Sequence, residues 1–252
     1  MIIGIGAGDP EHVTVQAVNA LSQVDVFFVL DKGEVKQDLV ALRQEILDRY
    51  VPDGSYRVVQ GRDPDRDRTT SAYVGAVDDW RRRRADVCER LIRDELGEDQ
   101  TGAFLVWGDP ALYDSTLAIV TDILDRGEVT FEYEVIPGIS SVSALAARHR
   151  TGLNQVGRPV QITTGRRLAE GWPSGVDDVV VMLDARTAFT AYADEDVEIF
   201  WGAYLGTPDE ILVSGKLPDV AARIESVRAE ARERHGWIMD TYLLRRNAPS
   251  DG

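Results

Sequence analysis

Three strand-like runs in this chain, Ile2–Ile5, Ala103–Trp107 and Phe131–Ile136, stop abruptly at glycine or Pro-Gly, and helix-like stretches follow them. A buried strand that ends in glycine lets backbone approach a ligand at the strand's C-terminal end, where open α/β sheets place their sites. Further Val-, Ile- and Phe-rich runs at Val24–Leu30 and Tyr56–Gln60 alternate with helical patterns near Val35–Tyr50, Thr70–Leu96 and Ser115–Arg126. Five strands joined by helical crossovers predict a mostly parallel α/β sheet, with Phe131–Ile136 as its last strand. After Pro137-Gly138 the rhythm shortens to a helix near Val142–His149 and strands at Val160–Thr163, Val179–Leu183, Ile199–Tyr204 and Ile238–Leu244. That change predicts a mixed second domain, with 1–140 and 141–252 as the two parts.

The first glycine loop, Gly4-Ile-Gly-Ala-Gly-Asp-Pro10, does not fit a dinucleotide fingerprint. Counted from Gly4, the third glycine falls on Asp9; counted from Gly6, it falls on Glu11. A carboxylate facing a pyrophosphate has the wrong charge, which argues against nicotinamide and flavin cofactors. The tripeptide Gly8-Asp-Pro10 recurs as Gly108-Asp-Pro110 at another strand end, and Ile136-Pro-Gly-Ile-Ser-Ser141 closes a third. Gly-Asp-Pro alone is a common turn, and Ser140 or Ser141 serves equally as a helix cap.

With 28 Lys and Arg against 43 Asp and Glu, the net charge is −15, which repels nucleic acid and anionic membranes. No apolar run approaches the ~18–20 residues of a membrane span, and the N-terminus lacks a signal peptide's basic region. One cysteine excludes an intrachain disulfide, and three scattered histidines make no metal spacing. A soluble cytoplasmic protein without nucleic-acid or membrane partners is expected.

Together, Gly6-Ala-Gly-Asp-Pro-Glu-His-Val-Thr14, Trp107-Gly-Asp-Pro-Ala-Leu-Tyr113 and Ile136-Pro-Gly-Ile-Ser-Ser141 resemble the tetrapyrrole (corrin/porphyrin) methyltransferases, in order and spacing. Within that family, Val26–Gly33, Tyr73–Arg82 and Gly157–Gly165 are similar to the members that methylate carbon 1 of a precorrin and release acetate. The resemblance implies a two-domain tetrapyrrole methylase fold, with the active site in the cleft between a parallel N-terminal and a mixed C-terminal sheet. It further implies a homodimer, with S-adenosylmethionine held largely by backbone groups. Carried over by position, its contacts are Ala7, Trp107, Gly108, Asp109, Leu112, Ser140, Ser141, Met182 and Leu205. The family often has Pro at the place of Ala7 and Gly at the place of Trp107. Other members of the family, and a non-catalytic adenosylmethionine-binding protein, stand as alternatives.

A sulfonium cofactor suits acidic loops, but a polycarboxylate tetrapyrrole needs local cations. From Arg148 to Arg167 the chain has five arginines (Arg148, Arg150, Arg158, Arg166, Arg167) and no acid, where overall composition leads one to expect about three or four. Guanidinium forks bind carboxylates bidentately, so this window is a candidate substrate anchor; an interface or a solvated loop is the alternative. Arg81–Arg84 lies among acids at helical spacing and reads as a solvated face. The segment Arg62–Arg68 is a charged loop, a lid or an exposed turn. Asp31 and Lys32 follow directly on the run Val24–Leu30, at the C-terminal end of the second strand, and are expected to project toward the cleft beside the first glycine loop. They are candidates for general base and oxyanion stabiliser in acetate release, against the alternative of a surface ion pair.

Overall fold

In the computed structural model, residues 1–31, 37–52, 54–64 and 73–246 are described. They form two compact units, Met1–Ser140 and Ser141–Gly252.

The first unit is built on β1 (Ile2–Gly4), β2 (Val26–Asp31), β3 (Arg57–Arg62), β4 (Gly102–Val106) and β5 (Val135–Ile136). The intervening helices are α1 (Val15–Leu21), α2 (Gln37–Tyr50), α3 (Tyr73–Glu95) and α4 (Thr116–Arg126). Every pairing in the sheet is parallel, in the order β3-β2-β4-β1-β5. Side chains alternate across the pleat. Ile3, Ile5, Phe27, Ala103 and Leu105 pack with Ala17 and Leu21 of α1 and Ile46 and Leu47 of α2. On the other face Val26 and Phe28 pack with Ala85 and Cys88 of α3 and Ile119 and Ile123 of α4. The crossovers leaving β1 and β4 therefore run in opposite directions from adjacent strands, which makes the crevice between them a topological switch point. Burial pushes the Cys88 thiol up to about 12, so it behaves as core.

Helix α4 ends on Gly127 at φ +73°, the left-handed cap that glycine adopts without strain. The last strand is shorter than the pattern predicts. Phe131 leaves the expected run to pack against the α3–α4 side, so only Val135 and Ile136 pair with β1.

The second unit holds α5 (Ser141–His149), β6 (Val160–Thr164), α6 (Gly165–Leu168), β7 (Asp178–Met182), β8 (Val197–Ala203), β9 (Ile211–Lys216), α7 (Leu217–His235) and β10 (Asp240–Arg246). Its sheet order is β6-β7-β10-β8-β9, with β6–β7 parallel and the other pairs antiparallel. Trp201, Tyr242 and Phe189 are fully enclosed with Leu217, Ile224 and Ala231 of α7. Strand β9 and helix α7 have no counterpart in the pattern read from sequence. β9 is an edge strand whose apolar run fades into Ser214-Gly215-Lys216, and α7 buries Arg228 where a helical stripe calls for an apolar residue.

Candidate active site

The turns leaving β1, β4 and β5 meet at their glycines. Gly6 donates to the Gly108 carbonyl at 3.3 Å and Gly108 donates back to the Gly6 carbonyl at 2.7 Å, tying two loops that follow parallel strands. Both have positive φ, +85° and +71°, which an L side chain adopts only with strain. The third loop fits against them without room for a side chain: a Cβ on Gly138 would lie 2.1 Å from the Gly108 carbonyl oxygen.

Asp109 joins the same loops through its carboxylate. Oδ2 accepts from the Gly138 amide at 2.9 Å and Oδ1 from the Ala111 amide at 2.8 Å. Its counterpart Asp9 accepts from the Glu11 amide at 2.8 Å and caps the 3-10 turn Pro10–His12. Each Asp therefore shapes its loop first, and the repeated tripeptide builds two similar turns.

Ala7 is buried in the first loop, and Leu112 is half-buried, donating its amide to the Asp109 carbonyl at 3.2 Å. Trp107 packs against the α1–α2 layer, and its indole nitrogen is buried without an acceptor among the described residues. The buried Nδ1 of His12 is likewise unpaired among them, although the notable sequence signal there was only the glycines. Tyr113 has φ +53° and is 46% exposed, and burial of its ring environment raises its phenol pKa.

In the second unit, Ser141 opens α5 and its hydroxyl lies 3.1 Å from that of Thr241. Thr241 pairs in register with Met182 on one side and Gly202 on the other. Leu205 is buried so close to Gly202 that a Cβ there would meet its side chain at 2.7 Å. Ser141, Met182 and Leu205 thus surround one short stretch of the sheet, with Thr241 at its centre. Sequence reasoning missed Thr241 because a threonine in a strand has no signature until its neighbours are known. Ser140 is half-buried just before α5.

Two expectations change. Asp31 does end β2, opposite Arg62, but β4 lies between β2 and β1, so Asp31 adjoins the β4 side and not the first glycine loop. The crossover from β3 through α3 returns to insert β4 there. Lys32 lies outside the described residues, as do 65–68 of the charged loop; Asp63, before them, pairs with Arg84 at 2.9 Å.

The arginine window also looks different once folded. Arg148 binds Glu210 at 2.6 Å, Arg158 pairs with Asp177, and Arg166 and Arg167 reach Glu170 at 3.7 and 2.7 Å. Glu170 lies just past the window at helical spacing, while Glu210 and Asp177 are brought to it by the fold. Arg150, at φ +54°, is exposed, and its side chain has no partner among the described residues.

No group of His, Cys, Asp and Glu suited to a metal ion occurs among the described residues. Nor is any described helix long and apolar enough to cross a membrane.

A family model for Tetrapyrrole (Corrin/Porphyrin) Methylases matches residues 1–221. The chain belongs to the tetrapyrrole methylases. This methylase is 53% identical over 251 residues to "Precorrin-6A synthase [deacetylating]" of Sinorhizobium sp, covering 100% of this chain and 96% of that protein. Its fold matches a putative cobalamin synthesis related protein (CobF) from Corynebacterium diphtheriae with TM-score 0.82 and 38% identity, over 97% of this chain and 96% of the other. It also matches a uroporphyrin-III C-methyl transferase from Thermus thermophilus, solved with S-adenosyl homocysteine, at TM-score 0.57 and 18% identity, over 97% and 96% of the two chains. The parallel first sheet and mixed second sheet of the methylase are thus the family's fold.

Proposed function

We propose that this tetrapyrrole methylase uses S-adenosylmethionine to methylate carbon 1 of precorrin-5 and releases acetate, giving precorrin-6A. The observation that carries the reading is the 53% identity to the deacetylating synthase along the whole chain.

The glycine loops suit the cofactor. The turns at Gly6, Gly108 and Gly138 offer close-packed backbone, and the buried indole N–H of Trp107 has no acceptor among the described residues. Ala7, Trp107, Gly108, Asp109, Leu112 and Ser140 are its proposed contacts in the first unit, with Ser141, Met182 and Leu205 in the second. When bound, S-adenosylmethionine supplies an electrophilic methyl group. The chain's part in that step is alignment and exclusion of water, so no nucleophilic side chain is required.

Acetate release needs more, because a water must be activated and a carbon–carbon bond broken. Asp31 is the proposed general base, with Lys32 stabilising the oxyanion that develops. Of the arginines at 148–167, Arg150 is the one offered to a substrate carboxylate, since the other four have carboxylates in the fold. A cytoplasmic homodimer completes the reading.

Incubation with precorrin-5 and methyl-labelled S-adenosylmethionine tests it. Label in the corrinoid product and an equal amount of acetate are expected. Methylation of another precorrin in preference to precorrin-5, or cofactor binding without turnover of any tetrapyrrole, overturns it.

A further inference from the structure

Arg43 lies in the second turn of α2, half-buried, with no hydrogen bond or ion pair to any described residue. Its charged neighbours are Asp114 and Arg84. Both are already committed. Arg84 pairs with Asp63 at 2.9 Å, donates to the Ser115 hydroxyl at 2.8 Å and stacks 4.7 Å over the Trp80 ring. Asp114 accepts from the Thr116 amide at 2.6 Å, holding the start of α4. Asp63 follows β3 and Asp114 follows β4, so this cluster sits at the C-terminal edge of the first sheet, where parallel α/β sheets take their ligands.

A guanidinium removed from water without a partner is costly, and it has no escape by losing its proton at ordinary pH. Burial is the main influence on Arg43 and depresses its pKa; Asp114 opposes this and Arg84 adds to it. An anion at Arg43 removes the penalty. The planar fork selects a carboxylate, bound through two parallel N–H donors.

We propose that Arg43 anchors a side-chain carboxylate of the tetrapyrrole substrate. The inference rests on the proposed substrate class, but not on which ring carbon is methylated. It adds to Arg150 an anchor in the first unit, where a cation unpaired among the described residues adjoins the sheet edge; the other arginines of 148–167 are paired with Glu170, Asp177 and Glu210. Arg84, held by Asp63 and Trp80, stiffens the cluster.

Two measurements on Arg43→Ala and Arg43→Lys test this. The first is binding of uroporphyrin III, a tetrapyrrole polycarboxylate, read by quenching of tryptophan fluorescence. The second is the steady-state KM and kcat for precorrin-5, with the S-adenosylhomocysteine-induced rise in Tm as a check on fold and cofactor site. Arg43→Ala is expected to weaken uroporphyrin binding and raise KM about tenfold, leaving kcat within about twofold and the Tm rise unchanged. Arg43→Lys should recover part of the loss, because charge is kept while the fork is lost. Unchanged uroporphyrin binding and KM in Arg43→Ala overturn the proposal, as does an equal loss of S-adenosylhomocysteine binding. If the wild type binds uroporphyrin through Arg43 but does not turn over precorrin-5, the assigned reaction fails and the anchor stands.

Discussion

The carboxylate of Asp109, in the loop after β4, accepts a hydrogen bond from the backbone amide of Gly138, in the loop after β5, at 2.9 Å. The bond is charge-assisted, and the same carboxylate also holds the Ala111 amide, so one side chain keeps two loops in register. Asp109→Ala should therefore lower stability by about 1.5–3 kcal/mol and weaken S-adenosylhomocysteine binding more than tenfold. Calorimetric titration with S-adenosylhomocysteine checks it; unchanged affinity means the loops hold without the clamp.

Gly138 tests the close approach directly. Its replacement by Ala puts a methyl 2.1 Å from the Gly108 carbonyl oxygen, a backbone atom that has no flexible way out. We expect the variant to lose the rise in Tm that S-adenosylhomocysteine gives the wild type, since the ligand stabilises only the native loops. Gly75→Ala is the control. Its Cβ meets nothing within 4 Å on a helix, so stability should hold or rise by up to about 1 kcal/mol.

Deep in the second unit, the Arg228 guanidinium donates to the Asp240 carboxylate at 2.8 Å and to the Asp184 carbonyl at 2.5 Å. Asp240 also accepts from the Trp201 indole at 3.1 Å, yet burial still holds its carboxyl above the usual range. Arg228→Leu leaves that carboxylate uncompensated and should cost about 3–5 kcal/mol. The sign of its pH dependence follows from linkage. A folded-state pKa raised above the unfolded value gives stability that is full below the unfolded pKa and is lost as pH rises through the folded one. Loss of Arg228 raises it further, so the Tm deficit of the variant should be small in acid and widen toward neutral pH. A deficit that shrinks as pH rises would falsify the account.

For acetate release, Asp31→Asn should leave methyl transfer intact while slowing the appearance of acetate about 10²-fold. The two products are followed in one reaction with labelled methyl donor. Acetate released in step with methyl transfer, at the wild-type ratio, removes Asp31 from the role.

Arg148 and Arg150 make a matched pair. Arg148→Ala breaks a half-exposed ion pair with Glu210 and should change stability by less than about 1 kcal/mol. Arg150→Ala, exposed and unpaired among the described residues, should leave Tm unchanged and raise the KM for the tetrapyrrole several-fold. Equal KM values for the two variants would make the distinction meaningless.

By itself the sequence determined the elements that local chemistry controls: apolar runs, amphipathic stretches, and glycine at the strand ends with Gly-Asp-Pro turns behind two of them. Those features depend on residues near one another in the chain, and they carried the family as well. Tertiary structure decided everything that needs distant residues to meet. It placed β4 between β2 and β1, which moved Asp31 away from the first glycine loop. It put Glu210 on Arg148 and Asp177 on Arg158 of the acid-free window, and left Arg43 of an unremarkable helix without a partner among the described residues. It set Thr241 between Met182 and Gly202, and it buried Arg228 in line with the apolar stripe of its helix. The reason is physical. A strand's neighbours and a charge's partner are fixed by burial and pairing summed over the whole fold, and no local pattern of residue types records that sum.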